Sequence, residues 1–162
     1  MTAPAEIAGI HHDPGGRYAV VVARFNPEIT SGLLDGACQA LAEAGVPDNQ
    51  RVVIRVPGAF EIPLVARTAA ASGRYDAVIC LGCLIKGDTM HFEYIAEAAT
   101  AGIAAASEAT GVPVSFGVLT TLTDEQALIR SQPGPENKGR EAALAAIEMV
   151  TLLRSLRGGA SL

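Results

Sequence analysis

The run Tyr18-Ala-Val-Val-Val-Ala23 constrains this chain most, because it is apolar at every position. A strand with one wet face would alternate apolar and polar residues with a period of two. A continuous run needs cover on both faces, and a parallel sheet held between helical layers supplies it. Arg24-Phe25-Asn26 ends the run, and Pro27 is placed to open a helix, where its missing N–H costs nothing. Ile29, Leu33, Leu34, Ala37, Leu41 and Ala44 then recur at helical spacing until Gly45 stops the pattern.

The plan repeats along the chain. Residues 51–56 (RVVIRV) predict a second strand, 57–61 (PGAFE) a turn, and 62–71 a helix ended near Gly73. Residues 76–81 (DAVICL) predict a third strand, with GCLIKGDTMHFEY at 82–94 as the turn and a helix over about 90–109. Residues 114–120 predict a fourth strand. Thr123-x-x-Gln126 has the spacing of a capping box for a helix through about Arg130, and SQPGPE at 131–136 breaks that helix. A last helix is expected over about 138–156. Strands alternating with helices predict an α/β domain of three layers, α/β/α and flavodoxin-like, with a four-stranded parallel sheet and helices on both faces.

At 162 residues one domain is expected, with residues 1–16 a flexible N-terminal tail, 17–157 the folded unit and 158–162 a C-terminal tail. Charged residues make up 18% against a usual value of about 25%, while 49% are hydrophobic, so surplus apolar surface points to subunit contacts. No uncharged apolar run reaches the roughly 18 residues that span a bilayer. A net charge of −5 without a basic run argues against nucleic acid or an anionic membrane as partner. His11 and His12 are adjacent without further ligands and are expected to be solvated. Cys80 and Cys83 have CxxC spacing, but Cys80 lies in the apolar strand and no second pair completes a zinc site. With Cys38, and with no signal-peptide pattern before them, they are expected to be reduced thiols in the cytoplasm.

The stretch 82–94 carries the chemistry. With Thr89 as the expected N-cap, the N–H groups of Gly87, Asp88 and Thr89 would face an anion. His91 falls in the first helical turn, and an imidazole moves protons near neutral pH. In a parallel sheet the C-terminal strand ends share one edge, where ligands bind. Phe25 and Asn26, then 58–61, then 83–91 therefore bring an aromatic face, the carboxylate of Glu61, an anion cradle and an imidazole to that edge. Singly each has a plainer explanation: Phe25 plugs the sheet edge, Glu61 favours a helix N-terminus, and His91 is a surface residue. Their succession after consecutive strands is what the plainer explanations leave out. GxGxxG and P-loop lysine motifs are absent, so nucleotide use has no support.

ARFN at 23–26, PGAFEIP at 57–63, GCLIKGDTMHFEY at 82–94, FGVLTTLTDEQA at 116–127, Arg130 and NKG at 137–139 together resemble the 6,7-dimethyl-8-ribityllumazine synthase family, in order, over about residues 17–156. The resemblance implies a cytoplasmic transferase of riboflavin biosynthesis. It would condense 5-amino-6-(D-ribitylamino)uracil with 3,4-dihydroxy-2-butanone 4-phosphate, releasing phosphate and water, without cofactor or metal. By position it implies that Phe25 stacks on the pyrimidine, and that Ala59, Phe60 and Glu61 hold the ribityl chain and ring. Cys83, Leu84 and Ile85 would bind ring edges through backbone groups. Asp88 and Thr89 would contact the phosphate ketone, and His91 would be the catalytic proton carrier. Phe116 would complete the pyrimidine pocket, while Arg130 and Lys138 would meet the phosphate. The resemblance also implies a homopentamer with sites shared between neighbouring subunits, leaves open a 60-subunit capsid, and admits riboflavin synthase as a partner. Asp88 departs from the small neutral residue expected there, and SQPGPE departs from the glycine- and lysine-containing link of capsid-forming members. Two other classes compete: a ligand-binding protein that turns over poorly, and a flavodoxin-like redox or regulatory domain. The second ranks last, since no aspartate cluster follows the first strand.

Overall fold

A computed structural model of the chain describes residues 2–158. The strands are β1 (Tyr18–Ala23), β2 (Arg51–Val56), β3 (Ala77–Ile85) and β4 (Val114–Thr121), and they form one parallel sheet in the order β2-β1-β3-β4. The helices are α1 (Pro27–Glu43), α2 (Ile62–Ala71), α3 (His91–Thr110), α4 (Asp124–Ser131) and α5 (Lys138–Arg157). Short 3₁₀ turns at Asp48–Gln50 and Ala59–Glu61 precede β2 and α2.

Both faces of the sheet are covered, as the unbroken apolar runs require. On one face Val20, Val22, Ile79 and Leu81 pack with Leu33 and Leu41 of α1 and Ile147 of α5. On the other, Ala19, Val21, Val78 and Cys80 pack with Ile62 and Ala66 of α2 and Ala99 and Ile103 of α3. Every residue of β1 is buried, because β1 is internal to the sheet and lies under both helical layers. Apart from Tyr18 the core is aliphatic, each fully buried Val, Leu or Ile contributing about 1.5–3 kcal/mol of transfer free energy.

Two details differ from the sequence-based expectation. The third strand does not end at residue 81: Gly82, Cys83, Leu84 and Ile85 continue it, in register with Val118, Leu119, Thr120 and Thr121 of β4. Gly82 looked like punctuation, but its missing side chain serves packing, since a Cβ there would come within 3.2 Å of Ile62 Cδ1. The third helix starts at His91, one residue later than expected. Met90 occupies the N-cap position, and Thr89 Oγ1 accepts only a long 3.4 Å bond from His91 N.

The remaining boundaries follow local chemistry. Thr123 caps α4 by accepting from Gln126 N at 3.2 Å, and Gln126 Oε1 accepts in return from Leu122 N at 2.8 Å. Gly111, at φ +71, closes α3 in the left-handed conformation. Residues 10–14 lie against the same domain: Ile10 N donates to Thr151 Oγ1, Asp13 N to Ala44 O, and Arg154 Nη1 to Pro14 O. The expected C-terminal tail at 158–162 lies, beyond Gly158, outside the described residues. No helix among the described residues is long and apolar enough to cross a membrane.

Candidate active site

The turns that leave β1 and β2 meet the C-terminal end of β3 around a crevice of about 520 Å³. Phe25, from the first turn, lines it with 70% of its surface exposed, so it offers a ring face where a core aromatic would be buried. Its position is fixed from below: Arg24 N and Phe25 N donate to Val56 O and Pro57 O at 2.8 and 3.2 Å, tying the first turn to the second.

Asn26 is the strut of this crevice. It sits in the left-handed region at φ 57, which asparagine tolerates better than most residues. In that conformation its carbonyl accepts from Ile29 N and Thr30 N, starting α1, while Nδ2 donates to Cys83 O at 2.9 Å. One residue therefore connects the end of β1, the start of α1 and the end of β3.

Ala59, Phe60 and Glu61 come from the turn after β2 and line the same crevice. Glu61 Oε2 accepts from Gly58 N at 3.1 Å, so its carboxylate closes the 3₁₀ turn as the plain electrostatic reading expects. A carboxylate has lone pairs for more than one donor, which lets the same group hold the turn and accept from a ligand hydroxyl. Cys83, Leu84 and Ile85 form the β3 wall. Burial and, to a lesser extent, Asp124 push the Cys83 thiol up to about 11, so it is a neutral wall atom at ordinary pH. Cys80 is pushed up to about 12 by burial. Three residues apart on a strand, the two cysteines face opposite layers, Cys80 toward α2 and α3 and Cys83 toward α1 and α5, so they cannot chelate one ion.

His91, the first residue of α3, is exposed and lines the same crevice. Ile95, one turn further along the same helix face, also lines the crevice, and the i,i+4 spacing from His91 was the signal that would have found it. Asp88 and Thr89 stand exposed on the loop between Ile85 and His91.

Phe116, Arg130 and Lys138 are not in this crevice. They line a second one, of about 330 Å³, floored by β4 and the first turns of α5. Phe116 is in register with Cys80, well before the C-terminal end of its strand, and is 45% exposed. Arg130 Nη1 donates to Gln126 O at 2.9 Å, and Lys138 Nζ pairs with Glu141 Oε2 at 2.7 Å. Glu141, three residues on in α5, is thus the ion-pair partner of the lysine. Arg130, Lys138 and Glu141 all line this cavity, so it carries two cations and one carboxylate, a positive balance that can receive an anion.

The model of the family described as 6,7-dimethyl-8-ribityllumazine synthase matches residues 15–154. A relative from Caulobacter vibrioides, named 6,7-dimethyl-8-ribityllumazine synthase 1, is 55% identical over 144 residues, which cover 89% of this chain and 94% of the relative.

Proposed function

The chain belongs to the 6,7-dimethyl-8-ribityllumazine synthase family, and from that premise we propose how its residues divide the work. It is an enzyme of riboflavin biosynthesis, a transferase that forms 6,7-dimethyl-8-ribityllumazine from 5-amino-6-(D-ribitylamino)uracil and 3,4-dihydroxy-2-butanone 4-phosphate, with release of phosphate and water.

The first crevice takes the pyrimidine. Phe25 stacks on the flat ring, Ala59, Phe60 and Glu61 receive the ribityl chain and ring, and the backbone of Cys83, Leu84 and Ile85 meets the ring edges. Asp88 and Thr89, on the adjoining loop, contact the phosphate ketone. The second crevice supplies Arg130 and Lys138 to the phosphate and Phe116 to the far side of the pyrimidine. The chemistry needs this pairing. The 5-amino group attacks the ketone and water leaves as the imine forms. Phosphate then departs by elimination, and the ribitylamino nitrogen closes the ring with loss of a second water. His91 carries the protons, and the cations stabilise the departing phosphate. Holding both reactants side by side supplies much of the remaining acceleration.

The observation that carries this reading is the separation of the two crevices within one chain. One holds the recognition surface for the ring and the proton carrier, the other the cations. Apposition of two subunits joins them, so we place the enzyme in a homopentamer with shared sites. Exposed apolar side chains on α2, α3 and the end of β4 (Leu64, Tyr94 and Leu122) suit such contacts. Free thiols at Cys38, Cys80 and Cys83 suit the cytoplasm. The test is calorimetric titration of each ligand. Arg130→Ala is expected to weaken binding of the phosphate ketone chiefly, and Phe25→Ala that of the pyrimidine. Equal losses for both ligands in both variants would contradict the division.

A further inference from the structure

Between the two cations of the second crevice, in sequence, stands a buried amide. Asn137 is 1% exposed. Its Nδ2 donates to Gly32 O, Ser131 O and Gln132 O, each at 3.0 Å, so two hydrogens serve three carbonyls. Its Oδ1 accepts from Arg140 N at 3.0 Å and caps α5. Its backbone N–H donates to Gly134 O, and its carbonyl accepts from Glu141 N. One residue thereby fastens the last turn of α4, the first turn of α5 and the middle of α1.

The fit requires close approach. A Cβ on Gly36 would lie 2.1 Å from Asn137 Oδ1, and one on Gly32 would lie 2.4 Å from Ser131 O. Two interior positions of α1 are therefore glycine, a residue that costs helix stability and gains here only the proximity of this junction. Ending α4 and starting α5 needs far less: Pro133 and Pro135 break the first helix, and Oδ1 alone caps the second. What the three carbonyl bonds add is a fixed spacing between Arg130, one residue before Ser131, and Lys138, one residue after Asn137. Arg and Lys side chains lose much rotamer entropy when they converge on one anion, so fixing their backbones beforehand reduces the cost of binding.

We propose that Asn137 is a positioning residue for the phosphate end of the substrate, clamping the α4–α5 junction so that Arg130 and Lys138 address one phosphate group. This rests on the assignment of Arg130 to the phosphate ketone. The test uses the assembled enzyme and two variants. Asn137→Ser keeps a cap acceptor and removes the donors, and Asn137→Asp keeps the cap and turns an oxygen toward the carbonyls. With either, KM for the phosphate ketone is expected to rise about 10-fold while KM for the pyrimidine stays within about 2-fold, the pattern of lost positioning at one end. On an Arg130→Ala background Asn137→Ser should add less than about 2-fold, because the two act through one contact. An equal rise in both KM values, or the full penalty on the Arg130→Ala background, would overturn the proposal. Should Arg130→Ala itself leave the phosphate-ketone KM unchanged, the phosphate assignment falls and the proposal with it. If Arg130→Ala raises that KM and both Asn137 variants do not, the positioning role alone falls.

Discussion

In the proposed mechanism His91 bears the heaviest chemical demand of any single residue, since imine formation, elimination and ring closure each move a proton. It is exposed at the first turn of α3, so its loss should cost activity without unfolding the chain. His91→Ala is expected to lower kcat by about 10² or more, the size of lost acid–base help, with the circular dichroism spectrum unchanged. Turnover equal to wild type would remove His91 from the mechanism. Cys83 gives the contrasting case in the same crevice. Burial holds its thiol near 11, above the ordinary value of 9.0, so the neutral form persists in the fold. A group of this sign contributes stability below about pH 9 that is lost as pH rises through about 11, because the unfolded thiol ionises first. Cys83→Ala should therefore keep turnover within about 3-fold, and iodoacetamide at neutral pH should leave the native thiol unmodified, since the thiolate is the reactive form. Rapid alkylation accompanied by inactivation would show that the thiol takes part.

Among the elements, the turns after β1 and β2 and the end of β3 are held to one another by backbone and amide bonds: Arg24 and Phe25 to the β2 turn, Asn26 to Cys83. This is why a sheet edge provides a defined crevice from segments far apart in sequence. The helix bearing Arg130 depends on a different device. α4 spans only Asp124–Ser131 and is too short to persist on its own, so its capping box matters. Thr123→Ala is expected to lower stability by about 1 kcal/mol, read from denaturant midpoints at one fixed protomer concentration, with pyrimidine affinity unchanged. A loss of pyrimidine affinity comparable to that of the phosphate ketone would mean that α4 supports the first crevice as well.

For the whole molecule, the proposed organisation starts from the separation of the crevices. β4 is an edge strand, Phe116 projects partly exposed from it, and Arg130 and Lys138 follow on α4 and α5. An edge strand beside exposed apolar groups is a natural subunit contact. A head-to-tail interface sets one surface against a different surface of the next copy, as joining the two crevices requires. Co-assembly of His91→Ala with Arg130→Ala subunits should raise activity above either variant alone, because some interfaces then pair an intact His91 with an intact Arg130. If mixed particles are verified by mass and no activity returns, the shared site is wrong.

The sequence by itself determined the layers and which candidate groups share one edge of the sheet. Unbroken apolar runs such as 18–23 admit only a doubly covered parallel strand, and the turn residues that follow them must share an edge, so Phe25, Glu61 and His91 were legible together. Caps were legible where the side chain bonds within a few residues, as at Thr123, and not where the backbone supplies the start, as at Met90. Gly82 was misread because a glycine in a strand marks either a turn or a close approach, and only the position of Ile62 across the layer distinguishes them. Asn137 was visible as part of a motif, but its bond to Gly32 spans 105 residues and no local spacing encodes it. The parting of Phe116 and Arg130 from the His91 crevice, by contrast, was legible along the chain, because Phe116 lies well before the C-terminal end of its strand and Arg130 follows on the helix that leads away from it. Sequence order places residues along the strands, whereas the order β2-β1-β3-β4 decides which strand is left open at the side of the sheet, here β4 with Phe116.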